Sequence, residues 1–282
     1  MSSSLRVKML RQEIKRRVWF AAVSLVHGVF DSAVSKRAAH KPFKALITCV
    51  YRHKNAPILF PCVSEAVQLG WEVRLWALDQ IHPDLEAYSR GSGKGPRCSL
   101  LNDLLAGADL SAFDWVVVMD DDFEFQRGSL ESFLTIADGA GISLAQPARA
   151  YGRYRSFRLI NRDPLGVARL TSYVEIGPVI AVNQAWASRI LPFPQGYGMG
   201  WGLDLLWSDL RREGLRLGVI DWVTINHLSP VGRAYDNSPE KQRLTKMLHD
   251  RGFKSIEETQ KTLAVWRPWQ PRPLWLRETN EM

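Results

Sequence analysis

Cysteine is scarce in this chain. Cys49, Cys62 and Cys98 are the three in 282 residues, and their spacing matches no metal-ligand pattern. An odd, sparse count argues against a disulfide framework and for a reducing compartment. No glycine-rich phosphate fingerprint and no internal repeat is present. No apolar run is long enough to span a bilayer; Val18–Val26 is nearly apolar but too short. Acidic residues are almost missing from Met1–Lys44, which holds ten basic and two acidic residues. That segment carries the whole net charge of +8, so the remainder is balanced. Nucleic-acid binding calls for a basic body, and none is expected here. A basic leader on a neutral body fits an anionic membrane surface.

What is present is a globular composition, 46% hydrophobic. It suffices for one large α/β domain or two small ones. In the leader, Leu10, Ile14, Val18, Ala21, Leu25 and Val29 recur at helical spacing. Three readings compete for it: an interfacial membrane helix, a signal peptide, and a helix packed on the domain. Residues 1–40 form this leader, 41–235 the body, and 236–282 a C-terminal part. The expected location is cytoplasmic, peripheral at the membrane face.

The body alternates. Lys44–Tyr51 reads as a strand, Asn55–Leu69 as a helix stopped by Gly70, and Glu72–Leu78 as a second strand. Ser89–Arg97 is a Gly-rich basic loop, Ser99–Ala106 a helix, and Trp115–Met119 a third strand. Ser129–Ala137 follows as a helix, then an irregular Arg/Tyr-rich segment, Arg149–Arg169. Tyr173–Val182 reads as a strand broken at Gly177-Pro178. Asn183 is placed to cap a helix through Ile190. Pro192–Gly202 reads as a flexible glycine-rich loop that delivers Asp204 to a helix ending near Gly214. Leu217–Ile225 is a strand running into His227. Two helices are expected over 239–251 and 255–265, before a Pro/Trp-rich tail that cannot be a regular helix. The alternation predicts a parallel sheet with crossover helices, whose ligands gather beyond the strands' carboxyl ends.

One stretch stands out, "VVVMDDDFE", where a sheet-centre run ends in Asp120, Asp121 and Asp122. Two unit charges about 5 Å apart repel by roughly 3 kcal/mol at an effective dielectric near 20. Three together are either left in water or supplied with a cation. Carboxylates at a strand end suit Mg²⁺ or Mn²⁺, which keep positions for water and phosphate; the plain alternative is a solvated turn. Asp204, behind the Gly200-Trp201-Gly202 loop, can serve as a general base or merely cap its helix. His227 can be a ligand or a structural histidine. Glu175 is a pocket candidate facing an acceptor, or else a surface strand acid.

Strand, Asp-x-Asp, Gly-Trp-Gly loop with an acid, and strand ending in His together resemble the nucleotide-sugar glycosyltransferases of the GT-A fold. More narrowly, "YVEIGPVIAVNQAW", "GMGWGLDLLWSDL" and "GVIDWVTINHLSP" resemble the family catalogued as domain of unknown function 707. The likeness covers Lys41–Gly232 and is most specific over Tyr173–Pro230. It implies a GT-A-like (Rossmann-like) fold: a mixed, mainly parallel sheet flanked by helices, in one domain with an N-terminal helix. It implies Asp122 as metal ligand and Asp120 as helper, with Asp121 leaving the register open. It implies His227 completing the metal site and Asp204 as the base. Asp79 would read the nucleotide base and ribose; Tyr51, Arg52 and His53 would meet the nucleotide; Lys94 and Arg97 would approach the diphosphate. Trp201 and Gly202 would line the acceptor pocket with Glu175. The first strand end, "YRHKN", lacks the acid that this layout normally places there.

The expected activity is therefore transfer of a sugar from a nucleotide-sugar donor to a glycan or glycolipid hydroxyl, with Mn²⁺ or Mg²⁺ and with inversion. Two other classes compete. A nucleotidyltransferase or diphosphate hydrolase would release diphosphate or cleave donor without an acceptor. A non-catalytic sugar- or nucleotide-binding module would lose nothing on Asp204→Asn.

Overall fold

The two strands that read most clearly, β1 (Ala45–Tyr51) and β4 (Trp115–Met119), are buried at every position and pair in parallel. Such runs are unbroken because helices cover both faces of the sheet. On one face, Ile47, Cys49, Val117 and Met119 pack against Leu59 and Val63 of helix Ala56–Gln68 and Phe133 of helix Leu130–Gly139. On the other, Leu46, Val116 and Val118 meet Leu101 of helix Arg97–Leu105, Ala187 of helix Gln184–Ile190 and Trp207 of helix Leu203–Leu210. β2 (Glu72–Ala77) lies beside β1 and alternates buried with half-buried positions, as its sequence does. The computed structural model describes residues 25, 28–32, 34, 42–150, 157–229 and 238–276.

With β3 (Ser89–Ser92), β5 (Phe123–Arg127), β6 (Leu144–Arg149), β7 (Ala168–Thr171), β8 (Val179–Asn183), β9 (Leu217–His227) and β10 (Thr262–Trp266), the sheet has ten strands among the described residues, nine of them in the order β10-β7-β9-β6-β8-β4-β1-β2-β3. β5 pairs off this path with β9. Following the pairings, β5, β7 and β8 run against the other seven. The sheet is therefore mixed and mainly co-directional, as expected. One rim consequently collects the carboxyl ends of β1, β2, β4, β6 and β9 together with the start of β8.

Several expectations need correction. Ser89–Ser92, read as loop, forms an edge strand, and the following helix begins at Arg97 rather than at Ser99. Only Val179–Asn183 of the run Tyr173–Val182 is strand; it starts after a cis Gly177-Pro178 peptide. Asn183 stands at the cap position, but its side chain makes no capping bond. The helix expected over 255–265 is a short 3-10 turn followed by β10, because the β-branched and aromatic TLAVW run pairs with β7. β6 escaped notice because Pro147 breaks its strand pattern. A proline inside a sheet is confined to edges and bulges, and the β6–β9 register shifts between Pro147 and Ala148.

Most of the leader lies outside the described residues, so its apolar face is not seen before Leu25. At its end Val34 is fully buried in the core. Asp31 accepts hydrogen bonds from Arg127 at 2.7 Å and Trp222 at 2.8 Å. Leu25 and Val29 stay exposed. Among the described residues, no helix is long and apolar enough to cross a membrane. The C-terminal part joins the same sheet through β10, and Trp266 and Trp275 enter the same core.

Candidate active site

Each acid of the triplet leaves β4 in a different direction and finds a different partner. Asp121 is closed by Arg52, just past β1. The Arg52 amide and Nε donate to its Oδ2 at 2.7 and 2.9 Å, and Nη2 donates to its Oδ1 at 2.5 Å. Asp120 Oδ1 accepts from Nε of Arg97 at 2.6 Å, at the first turn of the helix that precedes β4. Asp122 Oδ1 meets Nε2 of His227 at 3.2 Å, where β5 and β9 pair as Phe123↔His227. Arg52 Nη2 stands 3.9 Å from Asp122 Oδ2.

The repulsion within the triplet is thus met first by arginine. Burial pushes the Asp120 carboxyl up, Arg97 pulls it back, and the two neighbouring acids add to the rise. Asp122 is held below the usual carboxylate range despite its own burial, by hydrogen bonds from His227 and Ser229 and by the charge of Arg52. The bond to Asp121 raises Arg52 above its ordinary value, against its own desolvation.

A second layer begins at Arg149, the last residue of β6, which sequence reasoning left in an irregular segment. Its side chain is buried. Nη1 stands 3.2 Å from Nδ1 of His227, and Nη2 donates to Glu175 at 2.8 Å and to the Gly177 carbonyl at 3.2 Å. Gly177 gives Asp120 room, since a Cβ there would come within 2.9 Å of its Oδ2 and force a shift. Glu175, expected to face an acceptor, is thus tied into the network.

Asp204 opens helix Leu203–Leu210 and is buried. The hydroxyl of fully buried Tyr173 donates to its Oδ2, and the Leu205 amide donates to Oδ1 at 2.9 Å. Burial raises its pKa to about 6, partly offset by these two donors, and Glu175 adds to the rise. The loop that delivers it, expected to be flexible, is pinned by helix Ser238–Asp250. Glu240 accepts from the Met199 amide at 2.7 Å, and Arg243 donates to the Trp201 carbonyl at 3.1 Å. Gly202 takes φ +97° at the helix cap, a conformation that favours glycine. Trp201 is half-buried, with the Lys241 ammonium 5.8 Å from its ring.

The other predicted residues are more dispersed. Asp79 is exposed past β2 and accepts from the His53 amide at 2.8 Å, which holds it below the usual carboxylate range. Lys94 is exposed in the loop before Arg97. Tyr51 is fully buried, its hydroxyl shared with Ser89 and the His82 amide at 3.1 Å each, so its side chain offers a ligand no surface. Arg97 is buried, and among the described residues its Nη1 and Nη2 have no hydrogen-bond partner, leaving two donor nitrogens for an incoming oxygen.

Among the described residues, no three His, Cys, Asp or Glu side chains converge as a metal cage. Arg52 takes both oxygens of Asp121, whereas Asp120 and Asp122 each have Oδ1 engaged, by Arg97 and by His227; Asp122 is also hydrogen-bonded by Ser229, with Arg52 3.9 Å from its Oδ2. That arrangement fits a divalent ion held by one protein carboxylate with phosphate and water as its other ligands.

No family model and no curated protein matches this sequence, so the likeness to domain of unknown function 707 finds no support there. Similar solved structures exist. The chain superposes on GalNAc-T7, solved with UDP, GalNAc and Mn²⁺, with a TM-score of 0.51 at 9% identity, over 73% of this chain and 48% of that one. It thus spans about half the length of GalNAc-T7. It also matches S. aureus TarS 1-349 in complex with UDP-GlcNAc, with a TM-score of 0.49 at 10% identity, over 76% of this chain and 68% of that one. The fold is that of the GT-A glycosyltransferases.

Proposed function

We propose that this chain transfers a sugar from a nucleotide-sugar donor to an acceptor hydroxyl, with inversion. GalNAc-T7, solved with UDP, GalNAc and Mn²⁺, shares the fold and makes a nucleoside diphosphate sugar the natural donor class. The observation that carries the reading is a chain of contacts along one rim. It runs from Arg52 and the triplet through His227 and Arg149 to Glu175, two residues from the Tyr173 that holds Asp204.

In this reading Arg97 receives diphosphate oxygens through its two unpartnered nitrogens. Asp79 and His53 are assigned to the base and ribose, and exposed Lys94 to the diphosphate. Asp122 is the metal ligand; a divalent ion bound there would stabilise charge on the departing diphosphate. Asp204, oriented by Tyr173, accepts the proton of the attacking hydroxyl. Glu175, Trp201 and Gly202 border the acceptor. The nucleotidyltransferase alternative gains nothing from the structure, since "RHKN" after β1 forms a short 3-10 turn into a helix rather than a glycine-rich loop.

Two measurements test this reading. In a thermal-shift screen of nucleoside diphosphates and nucleotide sugars, a bound ligand should stabilise the wild type by about 2.7 kcal/mol at a hundredfold excess over its Kd, and Mn²⁺ should strengthen that stabilisation at a fixed ligand concentration. Asp122→Ala should abolish that Mn²⁺-dependent part; unchanged donor affinity would sink the metal assignment. The pH profile of kcat/KM should fall on the acid side with a midpoint near Asp204's pKa of about 6, because the base must be ionised. A profile flat from pH 5 to about 8 would remove Asp204 from the proton transfer.

A further inference from the structure

We propose that Arg149 is a positioning residue that sets the tautomer of His227, so that the imidazole grips Asp122 as a hydrogen-bond donor and stays out of the coordination sphere of any divalent ion. The argument starts from donor arithmetic. A guanidinium has five N–H donors and no acceptor. Arg149 Nη1 lies 3.2 Å from Nδ1 of His227, within hydrogen-bonding range. Only an unprotonated Nδ1 can receive that donor, so the ring proton sits on Nε2. Nε2 in turn stands 3.2 Å from Asp122 Oδ1, and an N–H facing a carboxylate is the matched pairing. The ring is then used at both nitrogens, and a metal could take Nε2 only by displacing its proton to the nitrogen that Arg149 faces.

Arg149 is well placed to enforce this. Its side chain is 4% exposed, and Glu175 and the Gly177 carbonyl fix the other arm of its guanidinium. Its backbone is held on two sides: its amide donates to the Ile160 carbonyl at 2.8 Å, and its carbonyl accepts from the Arg162 amide at 3.0 Å. A residue that orients an imidazole through the ring nitrogen remote from its working contact commonly acts as a tautomer selector.

The test is spectroscopic and does not require activity. Nitrogen-15 spectra of the six histidine rings, with His227→Gln assigning the resonance, report protonation at each ring nitrogen. In the metal-free wild type, His227 should show a bare Nδ1 and a protonated Nε2. Arg149→Met should let the Nδ1–H form appear, and Arg149→Lys, which keeps a donor, should restore the original pattern. A protonated Nδ1 in the wild type, or an Arg149→Met spectrum identical to it, overturns the proposal, and the wild-type spectrum decides even if the variant fails to fold. A second arm rests on the donor-site reading above. Pulsed EPR of Mn²⁺ with UDP should show no coordinated imidazole nitrogen in the wild type; a directly bound nitrogen lost in His227→Gln contradicts the proposal. Failure of Mn²⁺–UDP to bind at all counts against the donor site and leaves the tautomer result to stand or fall by itself.

Discussion

Asp204→Asn should reduce sugar transfer by about 100- to 10,000-fold, the usual contribution of a positioned general base. Donor binding should survive. The fold should survive too, because the asparagine oxygen can take the Leu205 amide while its NH₂ group meets the Tyr173 hydroxyl, which can accept as well as donate. The same variant carries a stability signature. Asp204 has its pKa raised by burial, so the folded state holds a proton that the unfolded state has released between pH 4 and about 6. Its favourable contribution is therefore complete at low pH and is lost as pH rises through about 6. A neutral asparagine escapes that loss, so Tm of the variant should exceed that of the wild type at pH 7.5 and converge toward it in acid. Loss of turnover with a gain in stability marks a residue kept for chemistry. Retained turnover, measured by release of nucleoside diphosphate with acceptor present, would assign the proton transfer to another group.

The second large effect is structural. Asp221, in the middle of β9, is fully buried and paired with Arg169, whose Nε and Nη2 donate to it at 2.7 and 2.9 Å. The same guanidinium also donates to the Leu159 and Asn161 carbonyls at 2.7 and 2.8 Å, fastening the irregular segment over the sheet. Ile160 of that segment accepts from the Arg149 amide, so the pair supports Arg149 from behind. Arg169→Met leaves a carboxylate buried with its charge unpaired and should cost about 3–5 kcal/mol. Urea unfolding followed by tryptophan fluorescence reads this as a lower midpoint. Arg169→Met combined with Asp221→Leu should recover only part of the loss, because it removes the unpaired charge but still leaves the Leu159 and Asn161 carbonyls and the Asp163 amide without these partners. A single-variant cost below about 1 kcal/mol, the range of exposed pairs, would show the bridge to be solvated.

Much of the framework was legible from local chemistry. Trp115–Met119 had to be central because such a run is stable only when covered on both faces, and the acids after it had to face a rim. His227 was found the same way, by running off the end of a strand. Tyr51 was misjudged by the same logic: a residue at a strand end can point inward, and its phenol does. Arg149 carried no local signal. Its partners lie 78 residues away at His227 and 26 away at Glu175, and the contact depends on the register of β6 on β9 past the shift at Pro147. Tyr173 reaches Asp204 across 31 residues because the chain turns before β8 instead of continuing as strand.

Residue order alone determined which segments bury apolar surface, where strands stop, and that three like charges need a counter-charge. These follow from side-chain hydrophobicity and from repulsion between neighbours, both of which act over a few residues. Which cation answers them was decided only when strands distant in sequence were laid side by side. Parallel pairing of β1 with β4 sets Arg52 against Asp121, and the approach of β9 to β5 sets His227 against Asp122. Direction at ångström range belongs to packing, since a hydrogen bond depends on where two backbones have been fixed.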